Sequence, residues 1–283
     1  MIELNNLEFS YTKTGTRALS GVSASIAPGI YLVAGENGAG KTTLLHIIAG
    51  LKNPQVGECI IDGVSGRDRS AEDMANIFLL EENMTFPAKS IRQFAKMHTR
   101  FYPTFSQEQF EANLHDFGLS GYESMKSLST GMRKKSQLAY VLALGTKILL
   151  LDEPTNALDI EGRETLRKII ARSMDDERTL ILSTHTVDEF SHLYDGAIIL
   201  THSHLTYAGT EEQVSSSLAF TVTRIAPDDA LYSEVQMGRI LNIEPASPDD
   251  EPTRVDWKLL YIALHSQAAQ QILLTLTQKP KAQ

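Results

Sequence analysis

The sequence predicts an α/β fold with a mixed, partly parallel sheet, a helical insertion and a small α+β accessory region at the C-terminal end. Three observations lead to this prediction. Short apolar runs rich in branched residues alternate with segments of helical periodicity. In the middle of the chain only the helical spacing remains. After about residue 210 the alternation of the first part is lost.

The first elements are predicted from their periodicity. Residues 2–9 alternate apolar and polar side chains, as a half-buried strand does, and residues 22–26 form a second strand. Residues 30–34 are a short apolar run that leads into a glycine-rich turn. From 41 to 49 the spacing becomes helical, and Gly50 is well placed to end that helix.

The middle of the chain is predicted to be a helical insertion at about residues 84–145. Its apolar residues recur at helical spacing, and one shared face contains Ile91, Phe94, Ala95 and His98. No branched apolar run of strand length interrupts this part.

The strand pattern then returns. Residues 147–151 and 179–183 are predicted buried strands, separated by a helix over 162–173. Residues 197–200 and 205–207 are predicted to form a hairpin.

The last part of the chain is predicted to be a separate accessory region, with domain limits of 1–210 and 211–283. Strands are expected at 220–223 and 237–243, and an amphipathic helix begins at Trp257. Three roles remain open for this region: regulating the catalytic domain, strengthening a dimer, or covering the catalytic domain.

Composition excludes some classes of function. The formal net charge of −9 argues against a protein that wraps nucleic acid, since that requires clustered Lys and Arg. A single cysteine, Cys59, favours a reducing compartment. We find no pattern of a signal peptide and no apolar run of bilayer length, so we expect a cytoplasmic protein.

A phosphate-binding loop is the first motif that carries chemistry. Residues 35–42 fit the pattern GxxxxGK[ST] at every fixed position, between a predicted strand and a predicted helix. Lys41 supplies charge to the outer phosphates, and Thr42 offers a hydroxyl to Mg²⁺. The pattern predicts a P-loop ATPase core. The residues expected to bind ATP are Asn37, Gly38, Ala39, Gly40, Lys41, Thr42 and Thr43.

Two acids at the end of the strand 147–151 are the second motif. Asp152 is placed to orient Mg²⁺ through its water shell, and Glu153 to accept a proton from the attacking water. Acids also close strands simply because they meet solvent there, so this motif depends on the phosphate loop for its meaning.

A third motif narrows the class. Residues 128–132, Leu-Ser-Thr-Gly-Met, resemble the LSGGQ signature of ATP-binding-cassette (ABC) ATPases. The turn at 156–159 and His185 after the next strand also match that family in order and spacing. The chain is identified as similar to the ABC family over about residues 1–210.

The resemblance implies a head-to-tail dimer with two ATP molecules between the subunits. In the family, Ser129 and Gly131 would contact the γ-phosphate of ATP bound to the opposite subunit. Asp159 would shape the contact between the two sites, and His185 would hold Glu153 and the attacking water in line.

The helix after the signature carries three cations in its first turns: Arg133, Lys134 and Lys135. Cations oppose the dipole at a helix N-terminus, so an anion held there would relieve this conflict; the other interpretation is a solvated basic helix start. The resemblance implies that the anion is the γ-phosphate of ATP bound to the opposite subunit.

Some residues depart from the family pattern, and one assignment depends on position alone. Thr130 and Met132 replace the first glycine and the glutamine of the signature, which implies a weaker or asymmetric site. Glu81 stands where the family has a glutamine, and we expect it to sense Mg²⁺; its other interpretation is a solvated loop acid. Tyr11 is placed to stack on adenine.

The function implied by the resemblance is that of a transport ATPase. It would lie on the inner face of the cell membrane and drive a separate integral membrane permease subunit, which would dock on the helical insertion. The ATPase would form a homodimer or heterodimer and bind no nucleic acid. Three features resemble those of bacterial exporter ATPases: the phosphate-binding loop, Glu81 and the C-terminal extension. The alternatives are a soluble ABC ATPase that acts on ribosomes or DNA, and a nucleotide-sensing scaffold subunit.

Overall fold

A six-stranded mixed sheet forms the centre of the protein in the computed structural model, which describes residues 1–12, 15–190, 192–247, 249 and 251–277. In spatial order its strands are β10 (His204–Thr210), β9 (Gly196–Thr201), β3 (Gly29–Ala34), β8 (Thr179–Thr184), β7 (Ile148–Asp152) and β6 (Ile77–Leu80). Only β10 runs antiparallel to its neighbour. The carboxyl ends of β3, β7 and β8 therefore meet at one edge, where ligands of such sheets bind. The predicted α/β class and mixed sheet are confirmed.

The N-terminal part of the chain forms a second, antiparallel sheet. Its strands are, in spatial order, β2 (Arg17–Ile26), β1 (Ile2–Ser10), β4 (Val56–Ile61) and β5 (Val64–Ser65). Helix α1 (Lys41–Ile48) shares one apolar cluster with both sheets. The sequence predicted β2 only over its last five residues. It missed β4 and β5, since the first half of β4 is exposed and lacks apolar alternation.

The predicted insertion is helical. It contains α3 (Ile91–His98), α4 (Gln107–Asp116) and α5 (Thr130–Leu142), and the short α2 (Ala71–Ala75) precedes β6. The predicted shared face of α3 is confirmed, because Ile91, Phe94 and Ala95 are buried. His98 stacks on Phe94 with ring centroids 4.7 Å apart. Its Nδ1 lies 2.9 Å from the Tyr140 hydroxyl of α5.

Two elements follow the ends of β7 and β8. Helix α6 (Ile160–Ser173) begins two residues earlier than predicted, because Asp159 caps it by accepting a hydrogen bond from the Gly162 amide at 2.9 Å. A short 3₁₀ helix (Val187–Phe190) begins just after His185.

The C-terminal region comprises α7 (Glu211–Ser215), β11 (Leu218–Thr223), β12 (Tyr232–Gln236), β13 (Arg239–Pro245), α8 (Trp257–Leu264) and α9 (Ala269–Thr277). Its three strands form an antiparallel sheet in the order β11-β13-β12. The predicted strand at 237–243 begins at Arg239 instead. Met237 and Gly238 both have positive φ, at 49° and 77°, and form the two-residue hairpin turn that separates β12 from β13.

The C-terminal helices share the protein's largest apolar cluster. That cluster runs from Leu149 and Leu151 of the central sheet to Trp257 and Leu260 of α8, all of which are buried. We keep the division at residue 210 as a proposal, because β10 ends and α7 begins there, although apolar packing continues across it. Among the residues that the structure describes, no helix has the length and apolar character that crossing a bilayer requires.

Two leucines of the C-terminal helices test this packing. Leu260 is 0% exposed and Leu274 is 55% exposed. We expect Leu260→Ala to lower the free energy of unfolding by about 2–5 kcal/mol, because it leaves a cavity in the shared cluster. Leu274→Ala is the matched control and is expected to change it by less than about 0.5 kcal/mol. Urea denaturation of both variants measures the difference; equal values would mean that α8 is not part of the core.

Candidate active site

A cleft of 630 Å³ opens at the carboxyl edge of the central sheet. Three segments form most of it: the loop between β3 and α1, the end of β7, and the segment after β8. Most of the residues predicted from the motifs lie on its wall: Tyr11, Asn37, Gly38, Gly40, Lys41, Thr42, Thr43, Asp152, Glu153 and His185. Ala39 is 3% exposed and packs beneath the loop rather than on the wall.

The loop before α1 is shaped by glycine. Gly38 and Gly40 have φ angles of 83° and 105°, which side chains rarely adopt. Gly40 is the residue that caps α1, and among the described residues no side chain accepts a hydrogen bond from the amides of the first turn. The open N-terminus of α1 therefore has amide groups and a positive dipole end available for an anion in the cleft.

Lys41 is buried beside this loop, at 7% exposure. Its Nζ donates hydrogen bonds to the carbonyl oxygens of Gly35 at 2.7 Å and Glu36 at 3.2 Å. Burial lowers the pKa of Lys41, and the carboxylates of Glu153 and Asp152 oppose this shift. The ammonium group is thus held at the loop, near the two acids.

Asp152 connects all three segments of the cleft. The Thr42 hydroxyl donates to Oδ2 of Asp152 at 2.8 Å, and the Ser183 hydroxyl donates to Oδ1. The carboxylate is fixed in orientation, and an alcohol oxygen lies directly beside it. Hard oxygen donors of this kind suit Mg²⁺, which is held by few protein ligands and completes its shell with water and phosphate. Thr42 and Asp152 therefore fit the predicted metal site.

Glu153 and His185 lie together. His185 Nδ1 is 3.0 Å from Oε2 of Glu153. Glu153 is buried at 8% exposure, and its φ of 45° is unusual for a residue with a side chain. Its amide donates to the backbone and side-chain oxygens of Ser183, both at 3.1 Å, which stabilises this turn. Strain of this kind is concentrated at functional sites, where it aims a side chain.

Tyr11 lies at the mouth of the cleft and is 59% exposed. Its hydroxyl is 2.9 Å from the hydroxyl of Thr43, and Phe9 contacts it edge-on at a centroid distance of 5.2 Å. The Lys52 ammonium lies 5.2 Å from the ring centroid. The ring is thus held in place by its edge and its hydroxyl while much of it stays accessible.

The three residues predicted to serve the contact with an opposite subunit, Ser129, Gly131 and Asp159, lie outside the cleft. Ser129 caps α5 by accepting from the Met132 amide at 3.2 Å. A Cβ on Gly131 would lie 2.7 Å from the carbonyl oxygen of Ala157, so α5 approaches that turn closely. Asp159 caps α6. None of the three lines the cleft of its own chain.

The expectation for the three cations of α5 needs correction. Lys134 is buried, and its Nζ donates to the Glu82 carbonyl oxygen at 3.1 Å. Lys135 pairs with Asp159 at 2.9 Å and holds the pKa of that carboxyl below its ordinary value. Two of the cations therefore have partners within the chain. Of the three cations, only Arg133 has a side chain without a hydrogen bond or ion pair among the described residues.

The predicted Mg²⁺ role of Glu81 needs correction, because Glu82 rather than Glu81 lines the cleft. Glu81 turns towards α1, where its carboxylate lies 2.7 Å from Nε2 of His46, and it does not line the cleft. Glu82 lines the cleft, and its carboxylate accepts from the amide of Asn156 at 2.6 Å. Successive residues after a strand point to opposite sides, so only one of two adjacent acids faces the site. The motif spacing did not decide which one.

Sequence reasoning also missed other residues of the cleft wall. The start of β2 contributes Arg17 and Ala18, and Thr16 precedes them. The β9–β10 turn contributes Ser203, whose hydroxyl donates to the Arg17 carbonyl oxygen at 2.7 Å. The basic residue after the first strand was a usable signal, whereas the approach of Ser203 was not visible in the sequence.

The sequence of this chain is similar to those of known proteins. Residues 19–156 match the family described as ABC transporter. A putative ABC transporter ATP-binding protein of Pyrococcus abyssi is 31% identical over 75% of this chain and 84% of its own length. This chain belongs to the family of ABC transporter ATP-binding proteins.

Two further relatives have more specific names. The lantibiotic transport ATP-binding protein SrtF of Streptococcus pyogenes is 31% identical over 79% of this chain and 100% of its own length. The energy-coupling factor transporter ATP-binding protein EcfA of Methanothermobacter thermautotrophicus is 31% identical over 76% of this chain and 72% of its own length.

Solved structures share the fold. One is an ATP-binding cassette in a dimeric post-hydrolysis state bound to ADP and Pi. It has a TM-score of 0.63 and 22% identity, with 74% of this chain and 98% of that chain covered. Another, described as the ATP-binding subunit of an ABC transporter, has a TM-score of 0.67, with 76% of this chain and 91% of that chain covered. These structures show the fold, whereas the sequence relatives show that the chain is an ATP-binding subunit of an ABC transporter and an ATPase.

Gly40 gives a test of the nucleotide loop. A Cβ there would lie 2.3 Å from the Ala18 carbonyl oxygen, in a backbone conformation that side chains rarely adopt. We expect Gly40→Ala to weaken ATP binding by at least about tenfold. A loop distortion that costs about 1.4 kcal/mol of binding free energy lowers the affinity tenfold. Titration calorimetry measures the affinity.

The matched control is Gly63→Ala in the β4–β5 turn. Gly63 also has positive φ, at 84°, but a Cβ would meet nothing within 4 Å. It is expected to cost about 1–2 kcal/mol of stability and to leave ATP affinity unchanged. Unchanged affinity in Gly40→Ala would contradict the role of the loop.

Proposed function

We propose that this subunit hydrolyses ATP in a head-to-tail dimer and drives a separate membrane permease subunit that exports a substrate. The observation that carries the proposal is the separation of the two halves of the site within one chain. The cleft has the phosphate loop and the acids, while Ser129 and Gly131 lie elsewhere. A second chain, identical or related, is needed to bring a signature helix to each cleft.

The chemistry follows from the side chains of the cleft. The amides of the α1 N-terminus and Lys41 bind the phosphates of ATP. Glu153 accepts a proton from the attacking water, and His185 holds the Glu153 carboxylate by the contact at 3.0 Å. Thr42 and Asp152 would hold Mg²⁺, with Glu82 in reach of its water shell. The metal supplies charge neutralisation on the phosphates.

Tyr11 is proposed to stack on adenine at the mouth of the cleft, since its ring is held in place but remains accessible. The preceding strand end and Thr43 fix its position. Asp159 is proposed to lie at the contact between subunits, because it is exposed next to the signature helix and is oriented by Lys135.

The permease is proposed to dock on the helical insertion. A groove of 310 Å³ lies there, lined by α3, α4 and the loop before α5, including Arg92, Phe105 and Tyr122. Such grooves receive short helices of a partner. The subunit would then lie on the inner face of the cell membrane.

Export is proposed from the features shared with exporter ATPases and from the full-length match to the lantibiotic transport protein SrtF. The match to EcfA shows that likeness at this level also extends to another kind of transporter. Substrate uptake into inside-out vesicles that contain the complete transporter tests the direction.

The dimer is tested with Glu153→Gln. This variant is expected to bind ATP and to hydrolyse it very slowly, because its side chain no longer accepts the proton. Light scattering should show a doubled mass with Mg-ATP and a monomer without it. Lys41→Ala is the control and should remain a monomer in both conditions. Near-normal turnover in Glu153→Gln would show that another group activates water.

The two adjacent acids are tested by the Mg²⁺ dependence of hydrolysis. Glu82→Ala is expected to raise the Mg²⁺ concentration for half-maximal rate by about fivefold, since loss of one nearby carboxylate costs on the order of 1 kcal/mol. Glu81→Ala is the matched comparison and should leave that concentration unchanged, because its carboxylate faces His46. The opposite ranking would return the metal role to Glu81.

A further inference from the structure

The segment that follows His185 is attached to the C-terminal region. The 3₁₀ helix Val187–Phe190 begins two residues after His185, and it buries Val187 and Phe190 at 6% and 2% exposure. These side chains belong to the same apolar cluster as Trp257 and Leu260 of α8. The backbone that carries His185 therefore rests on a helix outside the proposed catalytic domain.

Polar contacts fix the same segment from two sides. On the side of α8, Lys258 Nζ pairs with Asp188 at 2.9 Å, and Arg254 donates to the His192 carbonyl oxygen at 2.5 Å. On the side of α6, Arg163 pairs with Glu189 at 2.6 Å. The segment is thus held between the catalytic domain and the C-terminal region.

The other end of α8 reaches the opposite rim of the cleft. His265, just after the helix, places Nε2 3.0 Å from the Thr201 hydroxyl at the end of β9. The turn after β9 includes Ser203, which lines the cleft. One helix therefore contacts the supports of two separate walls of the site.

We infer that α8 sets the catalytic rate of this ATPase by positioning His185, and that Lys258 is a positioning residue that acts through Asp188. Asp188 and His185 are three residues apart, so a shift of the 3₁₀ helix moves the His185 ring relative to the Glu153 carboxylate. A small misplacement of such a group lowers the rate without removing any group that binds ATP. The inference rests on the proposed role of His185.

The test is a cycle of variants in the full-length chain, with hydrolysis measured at varied Mg-ATP. Lys258→Met is expected to lower kcat by about three- to fivefold, which corresponds to the upper part of the range measured for exposed ion pairs, with little change in KM. Exchange of the two charges, Lys258→Asp with Asp188→Lys, is expected to restore kcat. Arg239→Met is the control, because this exposed residue of the same region has no ion pair among the described residues.

The decisive comparison is made in a His185→Ala background. If Lys258 acts through His185, then adding Lys258→Met to His185→Ala causes no further loss of kcat. A further three- to fivefold loss would overturn the positioning role while leaving that of His185 intact. A normal kcat in His185→Ala alone would instead overturn the proposed role of His185, and the inference with it. Thermal unfolding of each variant identifies any loss of folded protein.

Discussion

The hydrogen bonds of Asp152 are the interaction on which the rest of the site depends. One carboxylate accepts from Thr42 of α1 and from Ser183 of β8, while its own backbone ends β7. Three segments that are distant in the chain are thereby fixed relative to one another. Because the carboxylate is buried at 6% exposure, these bonds are not weakened by competing water. The positions of Lys41 and Glu153 follow from this arrangement.

Within one chain, the cleft contains the two acids and the phosphate loop but none of the signature residues 128–132. The N-terminus of α5 does not line the cleft, and two cations of its first turns have partners within the chain: Lys135 pairs with Asp159, and Lys134 donates to the Glu82 carbonyl oxygen. Of the three cations of these turns, only Arg133 has no side-chain partner among the described residues, and in the proposed dimer fewer free cations would face the opposite nucleotide. Replacement of the signature glycine and glutamine by Thr130 and Met132 acts on this same surface.

The C-terminal region extends the catalytic domain in a physical sense, since its helix α8 is buried against the segment that carries His185. Apolar burial holds α8 against this segment, and the ion pair of Lys258 with Asp188 fixes the position of one relative to the other. A region joined in this way transmits a displacement to the site, because packed cores shift as units rather than deforming continuously. The permease, docked on the helical insertion, would act on the opposite side of the same core.

The sequence by itself determined the features that lie in contiguous residues. The loop 35–42, the acids after 148–151 and the signature 128–132 were readable because each carries its chemistry within a few residues. Strands of the central sheet were predicted from the same alternation, whereas their spatial order came from the structure. Strands without clear apolar patterning, such as β4 and β12, were missed.

Only the tertiary structure decided which groups meet across the chain. It turned Glu81 to His46 and Glu82 into the cleft, since packing against α1 sets the rotation of the chain after β6. It also placed α8 against the segment after His185, a contact that joins residues 188 and 258. Local periodicity records which face of an element is buried. It does not record what that face is buried against, and the function of this site depends on that second fact.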